Sequence, residues 1–141
     1  MRLALPQPYE EISHTADVGL AVRGSTPEET LARLVLGLGA MLAGGGEVQP
    51  SGEAHLEVRG GADLAQTAVA VLREVLFRFS TLREIPAACE VRALAPGRAA
   101  LDLAVGRWDE ARHAEGADVK AVTYHAAAFA PEDGGWRAQV L

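Results

Sequence analysis

Two short stretches carry the residues whose types and spacing can do chemistry. The first, His14-Thr15-Ala16-Asp17, sets an imidazole, a hydroxyl and a carboxylate within four residues. It lies between two short apolar-polar runs, Tyr9 to Ser13 and Val18 to Arg23, which read as strands flanking a turn. A carboxylate in such a turn has two readings. It accepts turn N–H groups, the ordinary local use of Asp; or it is a hard oxygen ligand for Ca²⁺ or Mg²⁺, which needs further oxygens from elsewhere in the fold. The spacing does not choose between them. The second stretch is Asp118-Val119-Lys120-Ala121-Val122-Thr123-Tyr124-His125. Read as a strand, it puts Lys120, Val122 and Tyr124 on one face and Val119, Ala121, Thr123 and His125 on the other. Lys120 is then either a solvated strand end or, if the two strands are neighbours, a cation beside Asp17 suited to a phosphate or to a partner's acid.

Other familiar chemistries find little support. Gly44-Gly45-Gly46 follows a helix-period run and lacks a following Lys-Ser/Thr, so it reads as a helix terminator and not as a phosphate loop. There is no G-x-S-x-G elbow. His55 and His113 show no ligand spacing, and the single cysteine, Cys89, sits on the apolar side of an alternating run, where it reads as a small buried hydrophobe. With 13 Lys+Arg against 19 Asp+Glu the formal charge is −6, which disfavours direct, phosphate-neutralising binding of nucleic acid. One cysteine, no signal-like leader and no run of about 18 apolar residues lead to the expectation of a soluble, cytoplasmic protein.

The elements that must position these residues are legible from period and punctuation. The 141 residues suit one domain, 1–141, and 49% hydrophobic with only 5% aromatic residues implies a core of Ala, Val and Leu. Thr26-Pro27-Glu28-Glu29 starts a helix: a capping hydroxyl, a Pro for the first turn and a Glu three residues past the cap. Its apolar stripe runs through Leu31, Leu34, Val35, Leu38 and Leu42, and Gly37 and Gly39 within it imply close packing. A half-buried strand at His55 to Arg59 precedes a second helix, capped by Asp63 with Gln66 and apolar at Leu64, Ala68, Val71, Leu72, Val75, Phe79 and Leu82. Pro86 excludes helix beyond Ile85. A hairpin follows about Ala95-Pro96-Gly97-Arg98, then a charged loop from Gly106 to Asp118, a strand from Val119 to Ala130, and a last strand from Trp136 to Leu141. The expected fold is α+β, two helices on one face of a largely antiparallel sheet.

Tyr9 to Leu20, with Val119 to His125, resembles the archease family: two separate signatures in the right order, with Thr26 to Glu29 and Leu72 to Phe77 similar to the starts and body of that family's two helices. The likeness covers essentially the whole chain. It implies a protein cofactor, not a catalyst: an activator of an RtcB-type RNA ligase, promoting formation of the ligase's histidine–GMP intermediate and repeated turnover in tRNA splicing and RNA repair. It also implies that Asp17 is the family's metal-binding acid, that Lys120 is the lysine of its second signature, and that His14 has an orienting role. Archeases usually end on an aspartate and one more apolar residue, and this chain stops at Gln139-Val140-Leu141. A weakened Ca²⁺ or Mg²⁺ site is therefore expected, with the α-carboxylate of Leu141 supplying part of the missing charge if the last strand runs beside Asp17. Two alternatives stand beside this: a small metal-dependent phosphoester hydrolase using Asp17, His14 and His125, and a chaperone-like module, which needs an exposed apolar patch.

Overall fold

A computed structural model describes residues 2–14, 17–113, 119 and 121–141, with the side chains of residues 13, 14, 17 and 18 outside the description. In chain order the elements are β1 (Leu3–Ala4), β2 (Glu10–His14), β3 (Asp17–Gly24), α1 (Pro27–Ala43), β4 (Gly52–Arg59), α2 (Leu64–Leu82), β5 (Glu84–Ala95), β6 (Arg98–Arg107), α3 (Glu110–His113), β7 (Ala128–Glu132) and β8 (Gly135–Val140). The class is α+β. The strands divide into two four-stranded sheets, ordered β1-β5-β6-β4 and β2-β3-β8-β7, and every described pairing is antiparallel.

The division into two sheets follows from what α1 must bury. From Thr30 to Ala43 every residue except Arg33 and Ala40 is buried, so this helix is covered all round and not along one stripe. Both α1 and α2 contact strands of both sheets. The two helix glycines make that possible, one toward each sheet. A Cβ on Gly37 would come within 2.9 Å of Leu20 Cδ1 on β3, and a Cβ on Gly39 within 2.8 Å of the Pro86 carbonyl on β5. The core between the layers is built from Leu, Val and Ala, including Leu31, Leu34, Leu72, Val75, Leu101 and Ala138.

Helix ends follow the capping pattern. Thr26 Oγ1 accepts from the Glu29 N–H at 3.1 Å, and Gly44 closes α1 in the left-handed region at φ 61°. In α2, Asp63 Oδ1 accepts from the Gln66 N–H at 2.8 Å, and Gln66 Oε1 accepts in return from the Ala62 N–H at 2.9 Å. This helix stops at Leu82, on left-handed Arg83, and Pro86 lies inside β5 beside a register shift. Gly97, at φ 87°, makes the expected turn between β5 and β6.

Two sequence-based expectations are corrected. The charged loop after Gly106 contains one helical turn, α3, pinned by buried His113. Its Nδ1 accepts from the Asp109 N–H at 2.8 Å, so its Nε2–H donates to the Glu47 carbonyl, also at 2.8 Å. Among the described residues, the strand expected over Val119 to Ala130 starts at Ala128; residues 121–127 are not strand. Their backbone groups are taken by other partners: the Thr123 N–H donates to the Leu141 carbonyl at 3.0 Å, and the Ala127 N–H closes a turn on the Tyr124 carbonyl at 3.1 Å, with Ala126 at φ 55°. The alternation of faces is lost with the strand. Val122 is buried, whereas Tyr124 is exposed.

Candidate functional site

The first signature lies at the closed end of the β2–β3 hairpin. Its register runs from Glu10 opposite Ala21 to His14 opposite Asp17, so the backbones of His14 and Asp17 are partners on either side of residues 15–16. The side chains of His14 and Asp17, and the whole of Lys120, lie outside the described residues.

β8 lies on the other flank of β3, with Leu20 opposite Val140, which brings Leu141 beside Gly19, two positions from Asp17. Gly19 has a steric reason to be glycine. A Cβ there would come within 2.6 Å of Leu141 Cδ2 and 3.1 Å of Ile12 Cβ. Leu141 is buried, and the Thr123 bond to its carbonyl ties the second signature to the same place. Thus backbone from residues 14, 17–19, 121–125 and 139–141 converges at one end of the second sheet, although residues 17 and 123 are far apart in sequence.

α2 completes this end with Arg73. Its Nε–H donates to the Val122 carbonyl at 2.8 Å, and its guanidinium carbon lies 4.3 Å from the centroid of the Tyr124 ring. In the sequence, Leu72 to Phe77 reads only as helix body. An arginine on the polar side of a helix carries no signal of what it reaches.

The other titratable groups resolve as follows. Cys89 is fully buried, and burial pushes its thiol up to about 12, which leaves it without a nucleophilic thiolate. His55 and Asp102 are register partners of β4 and β6, and His55 Nδ1 lies 2.7 Å from Asp102 Oδ1. Arg92 Nε–H donates to Asp102 Oδ2 at 2.6 Å. The bond to Asp102 raises the imidazole pKa, and the bonds from His55 and Arg92 lower that of the carboxyl. This cross-strand triad faces solvent. Neither partner had a spacing signal, since the pairing of β4 with β6 is long-range. His125 sits exposed in the turn after Tyr124. Among the described residues no three His, Cys, Asp or Glu side chains group to hold a metal, and no helix is long and apolar enough to cross a membrane.

A protein of two long helices held between two antiparallel four-stranded sheets, with two distant segments brought to one sheet end, is the class that this fold defines. The family described as "Archease protein family (MTH1598/TM1083)" matches residues 9–141. The chain belongs to the archease family. It is 34% identical over 137 residues to "Protein archease" of Methanopyrus kandleri, spanning 95% of this chain and 97% of that one. It is 31% identical over 128 residues to "Protein archease" of Ictalurus punctatus, spanning 87% and 77%. Two solved structures share the fold. The solution structure of Methanobacterium thermoautotrophicum protein 1598 superposes with a TM-score of 0.68 at 24% identity, covering 94% of this chain and 95% of that one. The crystal structure of an archease from Thermotoga maritima, titled a "possible chaperone", superposes with a TM-score of 0.59 at 16% identity, covering 97% and 95%.

Proposed function

We propose that this chain is a protein activator of an RtcB-type RNA ligase, promoting guanylylation of the ligase's histidine and its repeated turnover in the cytoplasm during tRNA splicing and RNA repair. The observation that carries this reading is the convergence of both signature stretches beside Gly19 and Leu141. Residues dispersed in sequence but joined at one end of a sheet suit a surface that a partner contacts. The formal charge of −6 is compatible with a division of labour in which the ligase holds RNA and GTP.

In this reading Asp17 is the essential acid, Lys120 the cation facing a phosphate or an acid of the ligase, and His14 an orienting group. A divalent cation, Ca²⁺ or Mg²⁺, would take Asp17 as a hard oxygen ligand with Leu141 as its neighbour. Gly19 and Thr123, the described residues that meet Leu141, carry no carboxylate, and among the described residues no three acidic, His or Cys side chains group to complete such a site. No step of activation is routed through the metal.

The test is RNA joined per ligase molecule, measured with and without this chain and with GTP and a divalent metal. Several turnovers with the chain and about one without it support the reading. Equal yields with a matching ligase contradict it. Turnover of a phosphoester by the isolated chain, surviving purification, would favour the hydrolase alternative, for which the described residues offer no ligand set.

A further inference from the structure

At the opposite end of β3 from Asp17, β2 and β3 part. Their pairing ends at Glu10 opposite Ala21, while β8 stays paired with β3 as far as Gly24. Pro8 and Tyr9 lead away along α1, and the gap is a cleft of about 430 Å³. Its lining contains three arginines, Arg23, Arg33 and Arg137, with Glu10 as the one carboxylate and Tyr9, Pro8, Ala21 and Val22 completing the wall. In a chain with six more acids than bases, this is a concentration of arginine, of which Arg23 and Arg33 carry carboxylate partners and Arg137 has an amide partner.

The arrangement has a structural cost that the fold does not require. Arg23 and Arg137 are register partners, and like charges directly opposite each other in an antiparallel pair are destabilising. Their partners leave them available. Arg137, half-buried, is bonded to the neutral amide of Gln139 at 3.2 Å. Arg23 pairs with Glu132 at 3.0 Å, but with side-chain exposures of 65% and 39% that pair is screened by water and readily exchanged. Arg33 is fixed in place: it donates to the Arg23 carbonyl at 2.8 Å and to Gln7 Oε1 at 3.2 Å, and pairs with Glu29 at 3.2 Å.

We propose that this cleft binds a small phosphate-bearing molecule of mononucleotide or pyrophosphate size. A carboxylate has two oxygens, which one guanidinium satisfies; three arginines in the wall of one cleft suit a multiply charged oxyanion. The volume lies in the range of small-molecule sites, and the apolar wall of Pro8, Tyr9 and Val22 gives room for an organic group beside the phosphate. The cleft begins at Ala21, four residues along β3 from Asp17, roughly 13 Å at strand rise, and Tyr9 and Glu10 at the start of the first signature form part of its wall.

Calorimetric titration of the full chain with pyrophosphate and with GMP tests this, with sulfate as the control anion. The expected result is saturable one-to-one binding of both phosphate compounds, weakened by about tenfold or more in Arg137→Gln and in Arg23→Gln. Glu132→Gln, which frees Arg23 from its counterion, is expected to tighten it. Each variant should retain the melting transition of the parent. Absence of saturable binding up to about 10 mM, equal binding of sulfate, or affinities unchanged in both arginine variants would overturn the proposal.

Discussion

Arg73 on α2 and Val122 in the second signature are joined by a hydrogen bond of 2.8 Å from Nε–H to carbonyl, and the same guanidinium stacks on Tyr124. This is how a segment without strand pairing keeps one path. Arg73→Lys keeps the charge but removes the planar fork that makes both contacts. Faster amide hydrogen exchange over residues 121–127 is expected, with a several-fold loss of ligase activation and a small change in melting temperature. Unchanged exchange would show that Thr123 and buried Val122 hold the segment without Arg73.

Gly37 and Gly39 should respond differently to alanine. Each substitution gains about 1 kcal/mol of helix propensity. At Gly37 the obstacle is the movable end of Leu20, so Gly37→Ala is expected to be near neutral. At Gly39 it is the Pro86 carbonyl, part of a strand, and overpacking of about 1–3 kcal/mol offsets the gain, so Gly39→Ala should lose up to about 2 kcal/mol net as the helix is pushed from the first sheet. Urea unfolding of the two variants measures the contrast; equal stabilities would refute it.

The His55–Asp102 pair sets a pH window. The folded imidazole has a raised pKa, so its contribution is fully present below the unfolded value of 6.5 and is lost as pH rises through the folded value. The folded carboxyl has a lowered pKa, so its contribution is present above 3.8 and is lost as pH falls through the folded value. The pair therefore stabilises most between those limits. His55→Gln should flatten the decline in melting temperature between pH 6 and pH 8, a small effect because the pair faces solvent. A slope identical to that of the parent would remove His55 from the account.

Much of the fold is legible before any coordinates, because helix caps and apolar periods are local. Thr26 with Glu29, Asp63 with Gln66 and the Pro96-Gly97 turn all form where their chemistry requires. The two sheets are not legible in this way. They arise from the long-range pairing of β3 with β8 and β4 with β6, and from burial of α1 on all sides, for which Gly37 and Gly39 are the only sequence trace. The path of the second signature is not legible for a related reason. Val119, Val122, Thr123 and Tyr124 have strand composition, but the Val122 carbonyl accepts from a helix arginine, the Thr123 N–H donates to the Leu141 carbonyl and the Tyr124 carbonyl closes a turn with Ala127. The roles of Asp17, Lys120 and His14 come from family resemblance, while Arg73 becomes visible only through what it touches.

The most direct test of ligase activation is the rate of histidine–GMP formation on an RtcB-type ligase, with GTP and a divalent metal, in the presence of this chain or its Asp17→Ala variant. The parent chain is expected to accelerate guanylylation. The variant, with an unchanged circular-dichroism spectrum and melting temperature, is expected to leave it at the rate of the ligase alone. No acceleration by the parent chain with a matching ligase, or full acceleration by Asp17→Ala, would contradict the account.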